Sequence, residues 1–312
     1  MPSGIRFSAR GRRTVVVALV ATAVTVAGCS PKDGSRKSSG SHGSSRTAQA
    51  QPEPKRTSRP PSAPKPRTAA QFVARARQAM SAEKGWTFAL HGSESLVMAG
   101  QAPSTATYAA TAHRTTAPEA LQQNGTITTG KGVRKSEVVY VVGGTGYVKE
   151  GGETWKKGPL SDPDIANDVE DPVADLDAFG AYAKSAKVSR TGAGGADVRL
   201  QVTASGWQLS AARSRPALKR VVREMEPALV QLRDAGVTAT DSQITLKSFT
   251  ETWDLDAAHG YRLTSHRYAY TFLIPYRGGD ITVSQEVRAD NRGAFAGSVA
   301  LPSGAAAARE AA

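Results

Sequence analysis

Hydrophobic and polar positions change their period several times along this chain, and each change predicts an element. Residues 71–83 place Phe72, Ala76, Ala79 and Met80 on one face, the spacing of a helix. After them the period falls to two, in short segments punctuated by glycine. The clearest is SEVVYVVGGTGYVKEGGETWKKGPL, residues 136–160, where Val138, Tyr140 and Val142 alternate with Val139 and Val141. Gly143-Gly144 and Gly151-Gly152 turn the chain between short strands, which makes an antiparallel meander. Asp162 as a cap and Pro163 in the first turn open a helical stretch that runs to about Lys187. Residues 197–203 alternate again, with Val198, Leu200 and Val202 on one side.

The helical period returns from Ser214, a capping residue, to Gly236. Leu218, Val221, Val222, Met225, Leu229 and Leu232 form its apolar stripe, and Pro227 predicts a kink or a break near Glu226. Three longer strands close the pattern, at about 243–255, 261–274 and 280–289, with turns at 256–260 and 276–279. Strands and helices that come in blocks, joined by hairpins, predict an α+β fold with an antiparallel sheet.

The first 70 residues have a different character. Thr14 to Gly28 carries no charge and follows Arg6, Arg10, Arg12 and Arg13. As a helix that run would be about 22 Å long, short of the ~30 Å hydrocarbon core, so it reads as an export signal. Its end, Val26-Ala27-Gly28-Cys29, resembles the bacterial lipobox. The resemblance implies a diacylglyceryl group on the Cys29 thiol and cleavage after residue 28, which makes 1–28 a lipoprotein signal peptide. The other reading of a lone cysteine is a small buried hydrophobe. Arg12-Arg13-Thr14-Val15-Val16 is also similar to a twin-arginine export signal, and the general secretory route remains the alternative. Residues 29–70 are rich in Ser, Gly, Pro, Lys and Arg and hold no aromatic residue. Such a segment cannot bury enough surface to offset its ordering entropy, and reads as a tether of roughly 35 Å root-mean-square reach.

Charge then changes the picture. The formal net charge of +13 first suggests a nucleic-acid partner. Four of those charges are the signal arginines and seven net belong to the tether, which leaves +2 for residues 71–312. No nucleic-acid role is expected. A basic tether beside a lipid anchor instead suits anionic headgroups. Residues 71–302 suffice for one domain, and the tail 303–312 (SGAAAAREAA) reads as flexible. With Cys29 the only cysteine, neither a disulfide framework nor a thiolate metal site is expected.

No catalytic constellation stands out. His91, His113, His259 and His266 lack metal-ligand spacing and read as exposed strand or turn residues. Gly143-Gly144-Thr145-Gly146 lacks the Lys-Ser/Thr of a phosphate loop, and Asn124-Gly125-Thr126 matches a glycosylation sequon. The acidic run DPDIANDVEDPVADLD, residues 162–177, lacks the Gly and terminal Glu of a calcium loop; acids there complement helix dipoles. The expectation is a non-enzyme without cofactor or metal.

The apolar stripes suggest a different site. Tyr268, Tyr270, Phe272 and Ile274 share one strand face, and Phe249, Trp253 and Leu255 share a face of the strand before it. With Leu218, Val222, Met225 and Leu229 of the long helix, these residues either fill a core or line a cavity for acyl chains. The lining predicted is Leu218, Val222, Met225, Leu229, Phe249, Trp253, Tyr268, Tyr270 and Phe272.

The order of lipobox, tether, the helix QFVARARQAM, the meander ending in YVKEGGETWKKG, an Asp-Pro helical stretch and long closing hairpins resembles the actinobacterial LppX/LprG-type lipoproteins. That resemblance covers about residues 70–295 and implies a LolA-like fold, an open antiparallel half-barrel with helices over its concave face. It implies a protein on the extracytoplasmic face of the cell membrane that binds or transfers lipids or lipidated glycans without catalysis, with a membrane protein as a further partner. A sensor or interaction module with the same fold and a filled core is the alternative.

Overall fold

The computed structural model describes residues 65–310. The expected signal peptide 1–28, Cys29 and most of the expected tether lie outside the described residues. The first element among the described residues is helix α1 (Ala69–Ser81), two residues earlier than the apolar spacing predicts. The reason is a capping box, in which Thr68 accepts from the Gln71 amide and the Gln71 side chain accepts from the Thr68 amide. Strands β1 (Gly85–Met98), β2 (Ser104–Thr116), β3 (Glu119–Thr129), β4 (Arg134–Val142), β5 (Thr145–Glu150) and β6 (Lys156–Pro159) follow as an antiparallel meander. Gly143 and Gly144 both have positive φ, 58° and 78°, which a tight hairpin turn of the primed type requires and glycine supplies without steric cost.

The stretch 162–187 is not one helix. It divides into α2 (Pro163–Ala166), α3 (Pro172–Phe179) and a 3-10 turn at Ala183–Ser185. Asp171 caps the amides of Val173 and Ala174 and Pro172 takes the first helical position, so a second helix start interrupts the first. Strands β7 (Lys187–Thr191), β8 (Asp197–Ala204) and β9 (Trp207–Gln208) and helix α4 (Leu209–Ala212) come next. Helix α5 (Lys219–Asp234) begins later than the expected Ser214 cap, whose hydroxyl instead donates to the Ala211 carbonyl. It runs unbroken through Pro227, because packing of its apolar stripe holds it on both sides of the missing amide.

Strands β10 (Thr245–Asp256), β11 (Arg262–Tyr276) and β12 (Gly279–Ala294) lie within two to five residues of the predicted bounds. The tail read as flexible carries a 3-10 turn at Ser303–Ala307 and a short strand as far as residue 310. Ala305 is buried, and β13 (Arg309–Glu310) pairs in parallel with β6, with Glu310 3.2 Å from Lys157. The open edge of β6 offers backbone partners that composition cannot reveal.

The sheet order is β13-β6-β5-β4-β3-β2-β1-β12-β11-β10-β8-β7. The N-terminal meander and the C-terminal hairpins therefore join where β1 pairs with β12, from Trp86–Ala294 to Met98–Ile281, with a register shift between Thr87 and Phe88. The result is α+β, a large open curved sheet not closed into a barrel. One cluster of buried apolar side chains runs from α1 through β1 and α3 to α5, β10, β11 and β12.

Candidate functional site

Cross-strand register puts a row of residues on the covered face. Trp253, Glu251 and Phe249 of β10 oppose His266, Tyr268 and Tyr270 of β11. Tyr268 and Tyr270 oppose Val287 and Gln285 of β12, and these oppose Gly92 and Glu94 of β1. The row continues through Tyr108 to Gln123 and Glu137 on β3 and β4. Its members alternate with outward residues along each strand, as the pleat requires.

All nine residues predicted to line a cavity are buried, and all belong to the one core cluster. They pack against one another and their neighbours. A pocket among the described residues lies beside them, between Gly92, Glu94, Ala106, Tyr108, Ile127, Glu137, Gln285 and Val287, with a volume of about 20 Å³. That is room for about one water molecule. A wider, open crevice of about 560 Å³ lies where the end of α5 at Gly236 meets the β11–β12 turn, Pro275 to Asp280. None of the nine lines either space.

What the sequence did not suggest is a buried ionic network between α5 and the sheet. Arg220 and Glu224, one turn apart on α5, face Tyr268. The guanidinium donates to Glu170 at 2.6 Å and to Glu224 at 2.7 Å, also pairs with Asp175, and lies 4.2 Å from the Tyr268 ring centre. Tyr268 donates its hydroxyl to the Glu224 carboxylate at 2.8 Å. The side chains of Glu224 and Glu170 are only 2% and 3% exposed, while Asp175 and Arg220 are partly open to water, so the shared cation holds two buried carboxylates and one half-buried one. Burial disfavours the charged guanidinium, but Asp175, Glu170, Tyr268 and Glu224 outweigh it and raise the Arg220 pKa well above its ordinary value. Burial also pushes the Asp175 carboxyl up, against the pull of Arg220.

Beside this network, Glu251 accepts from the Tyr182 hydroxyl at 2.8 Å and pairs with His266 Nε2 at 3.1 Å. Burial first, and then the Glu251 charge, push the Tyr182 hydroxyl pKa upward. Trp253 stacks on the His266 ring at 3.7 Å between centres. His266 is thus buried, against the expectation of an exposed strand residue, because the inward positions of β11 continue past the tyrosines. His91 and His259 are exposed and His113 is half-buried.

A second polar cluster ties the 167–171 segment to the sheet. Gln123 Nε2 donates to the Tyr108 hydroxyl at 2.6 Å, to Glu137 at 3.1 Å and to the Asp168 carbonyl at 3.1 Å, while Gln123 Oε1 accepts from the Glu170 amide. Gly125 makes this possible. A Cβ there would lie 2.6 Å from the Tyr108 ring and 2.8 Å from Ala110, so only glycine lets the tyrosine lie across β3. The sequon at Asn124 is therefore part of a strand beneath an aromatic ring. Arg114, itself buried, pairs with Asp171 at 2.9 Å.

The acidic run 162–177 is explained by these contacts. Asp162 and Asp171 cap helices, and Glu170, Asp171, Asp175 and Asp177 pair with Arg220, Arg114, Arg220 and Arg77. One sequence signal was available: the run contains no Lys or Arg, so its cations had to come from elsewhere in the fold. Among the described residues, no group of three or more His, Cys, Asp or Glu is arranged to hold a metal, and no helix is long and apolar enough to cross a membrane.

No protein-family model matches this chain, and no curated protein matches it by sequence. In structure it is similar to a LolA superfamily protein from Nitrosomonas europaea, at 9% identity, 75% of this chain, 96% of that one and a TM-score of 0.24. It is also similar to Rv2717c from M. tuberculosis, at 11% identity, 70% and 97% coverage and a TM-score of 0.22. A beta-barrel-like protein of domain of unknown function DUF1849 from Brucella abortus matches at 7% identity, 68% and 99% coverage and a TM-score of 0.23. Likeness at this level leaves ligand and location to be argued from the chain's own residues.

Proposed function

We propose that this chain is a lipoprotein anchored through Cys29 to the extracytoplasmic face of a cell membrane, and that its half-barrel binds a hydrophobic ligand, a lipid or lipidated glycan, as a carrier or scavenger. It performs no catalysis. In the ligand-free state α5 closes the concave face, and ligand entry requires α5 to move.

The supporting observation is the way α5 is seated. Along one flank, Arg220, Glu224 and Gln231 follow each other at helical spacing, and all three are turned from solvent. The Gln231 amide nitrogen and oxygen are buried with no hydrogen-bond partner, a cost of about 1–3 kcal/mol. The ion pairs add little net stability, because charges that leave the network regain their hydration. The apolar stripe opposes opening, at about 1.5–3 kcal/mol for each side chain exposed. An apolar ligand replacing the helix against the sheet offsets that cost, and a polar one does not. The resemblance to LppX/LprG-type lipoproteins points to the same class of ligand.

A second reading, a sensor or interaction module with a filled core, is favoured by the packed lining residues and the ~20 Å³ pocket. Native mass spectrometry and organic extraction of the chain lacking residues 1–29, with titration of an apolar fluorescent probe, separate the two. A co-purified lipid or saturable probe binding is expected. Absence of both would refute the carrier reading and leave the filled-core module.

A further inference from the structure

The two ends of the β3–β6 meander carry opposite charge. At one end the β3–β4 turn, with Lys131, Arg134 and Lys135, lies beside Lys149 and Lys156 at the β5–β6 turn, against Glu150 and Glu153. Val133 projects from this end and is 55% exposed, more than Val97, Leu160 or Val230. At the opposite end the same strands finish at Glu119, at the uncharged Gly143-Gly144 turn and at Pro159, followed by Asp162 and Asp164. That end has no cation from these strands; Arg114 of β2 approaches Glu119 at 3.5 Å. The exposed apolar residue there is Leu160, at 40%.

A basic rim with an aliphatic side chain at its tip, on a domain polarised toward acid at its far end, has the chemistry of a surface that meets anionic headgroups. We propose that the β3–β4 and β5–β6 turns dock on an anionic lipid bilayer, with Val133 entering the headgroup layer and the Asp162 end held away from it. Each Lys or Arg held near an anionic surface strengthens partitioning about fivefold. The net excess of three cations over acids at the rim therefore corresponds to a preference for anionic over neutral vesicles of roughly a hundredfold, screened by salt. The inference is independent of the ligand cavity and of the lipid anchor.

The test uses the chain from Ser30 onward, which contains no cysteine. An environment-sensitive dye is placed on Val133→Cys in one sample and on Leu160→Cys in another. Vesicles of phosphatidylcholine with and without phosphatidylglycerol are added. Because the basic tether binds such vesicles by itself, the readout is which end enters the lipid. The expected result is a blue shift at position 133 with anionic vesicles only, no shift at position 160, and loss of the shift in Lys131→Glu/Arg134→Glu/Lys135→Glu. Circular dichroism of the triple variant verifies that it is folded. A silent dye at 133, equal responses at 133 and 160, or a shift that persists in the folded triple variant overturns the proposal.

Discussion

Replacing Arg220 with methionine removes the single cation shared by Glu170, Asp175 and Glu224 while keeping most of the buried volume. Breaking a buried pair by removing one partner costs about 3–5 kcal/mol, because the charge left behind is uncompensated. For a folded part of this size, about 2–4 °C per kcal/mol, the melting temperature at pH 7.5 should fall by roughly 6–20 °C. The loss must depend on pH. Burial already pushes the Asp175 carboxyl up against the pull of Arg220, so without Arg220 its folded pKa rises further above the unfolded one. Groups of that kind contribute stability below the unfolded carboxylate pKa of about 4, and lose it as pH rises through the folded values. The deficit of Arg220→Met relative to the native chain is therefore small near pH 4 and grows toward neutrality. Thermal melts followed by circular dichroism from pH 4 to 8 measure it. A deficit under about 1 kcal/mol at pH 7.5, or one of equal size across that range, would refute a buried network organised by Arg220.

Four further outcomes are expected, three from the structure and the last from the sequence at Cys29. Gln231→Leu should stabilise the chain by about 1–3 kcal/mol in urea unfolding, since it removes a buried amide without partners; no gain would mean that the amide is hydrated. If α5 is the cover, the same substitution should weaken probe binding. Gly125→Ala forces a Cβ to within 2.6 Å of the Tyr108 ring and should cost about 1–3 kcal/mol, a loss that should shrink in a Tyr108→Ala background but persist in part, because Ala110 still lies 2.8 Å away. Cys29→Ala should release the protein to the medium or leave it as an unprocessed precursor; normal processing and membrane retention would rule out lipidation at this residue.

Local pattern sufficed wherever the interaction was itself local. The Gly143-Gly144 hairpin, the Asp162-Pro163 helix start and the long closing strands follow from turn chemistry and from periods of two and 3.6, and the structure has them close to the predicted bounds. Errors arose where a distant partner decides. The tail 303–310 finds the free edge of β6, and of the two outcomes expected at Pro227 the break does not occur, because the stripe packs on both sides. Burial of the nine stripe residues was also legible, but whether they enclose a space was not, because cavity volume depends on how closely α5 approaches the sheet.

By itself, the sequence of this protein determined the main helices and the long strands, the antiparallel pairing of the meander and closing hairpins, the apolar stripes of α5, β10 and β11, and that the high charge lies mostly ahead of the folded part. These are properties of composition and of neighbours a few residues apart. Only the tertiary structure decided that an acidic run on the α2–α3 segment meets Arg220, that Glu251 finds His266 and Tyr182, and that the apolar stripes close on each other. Those partners are separated by 15 to 69 residues, and charges at such separation attract only after the sheet has curved and brought them out of water.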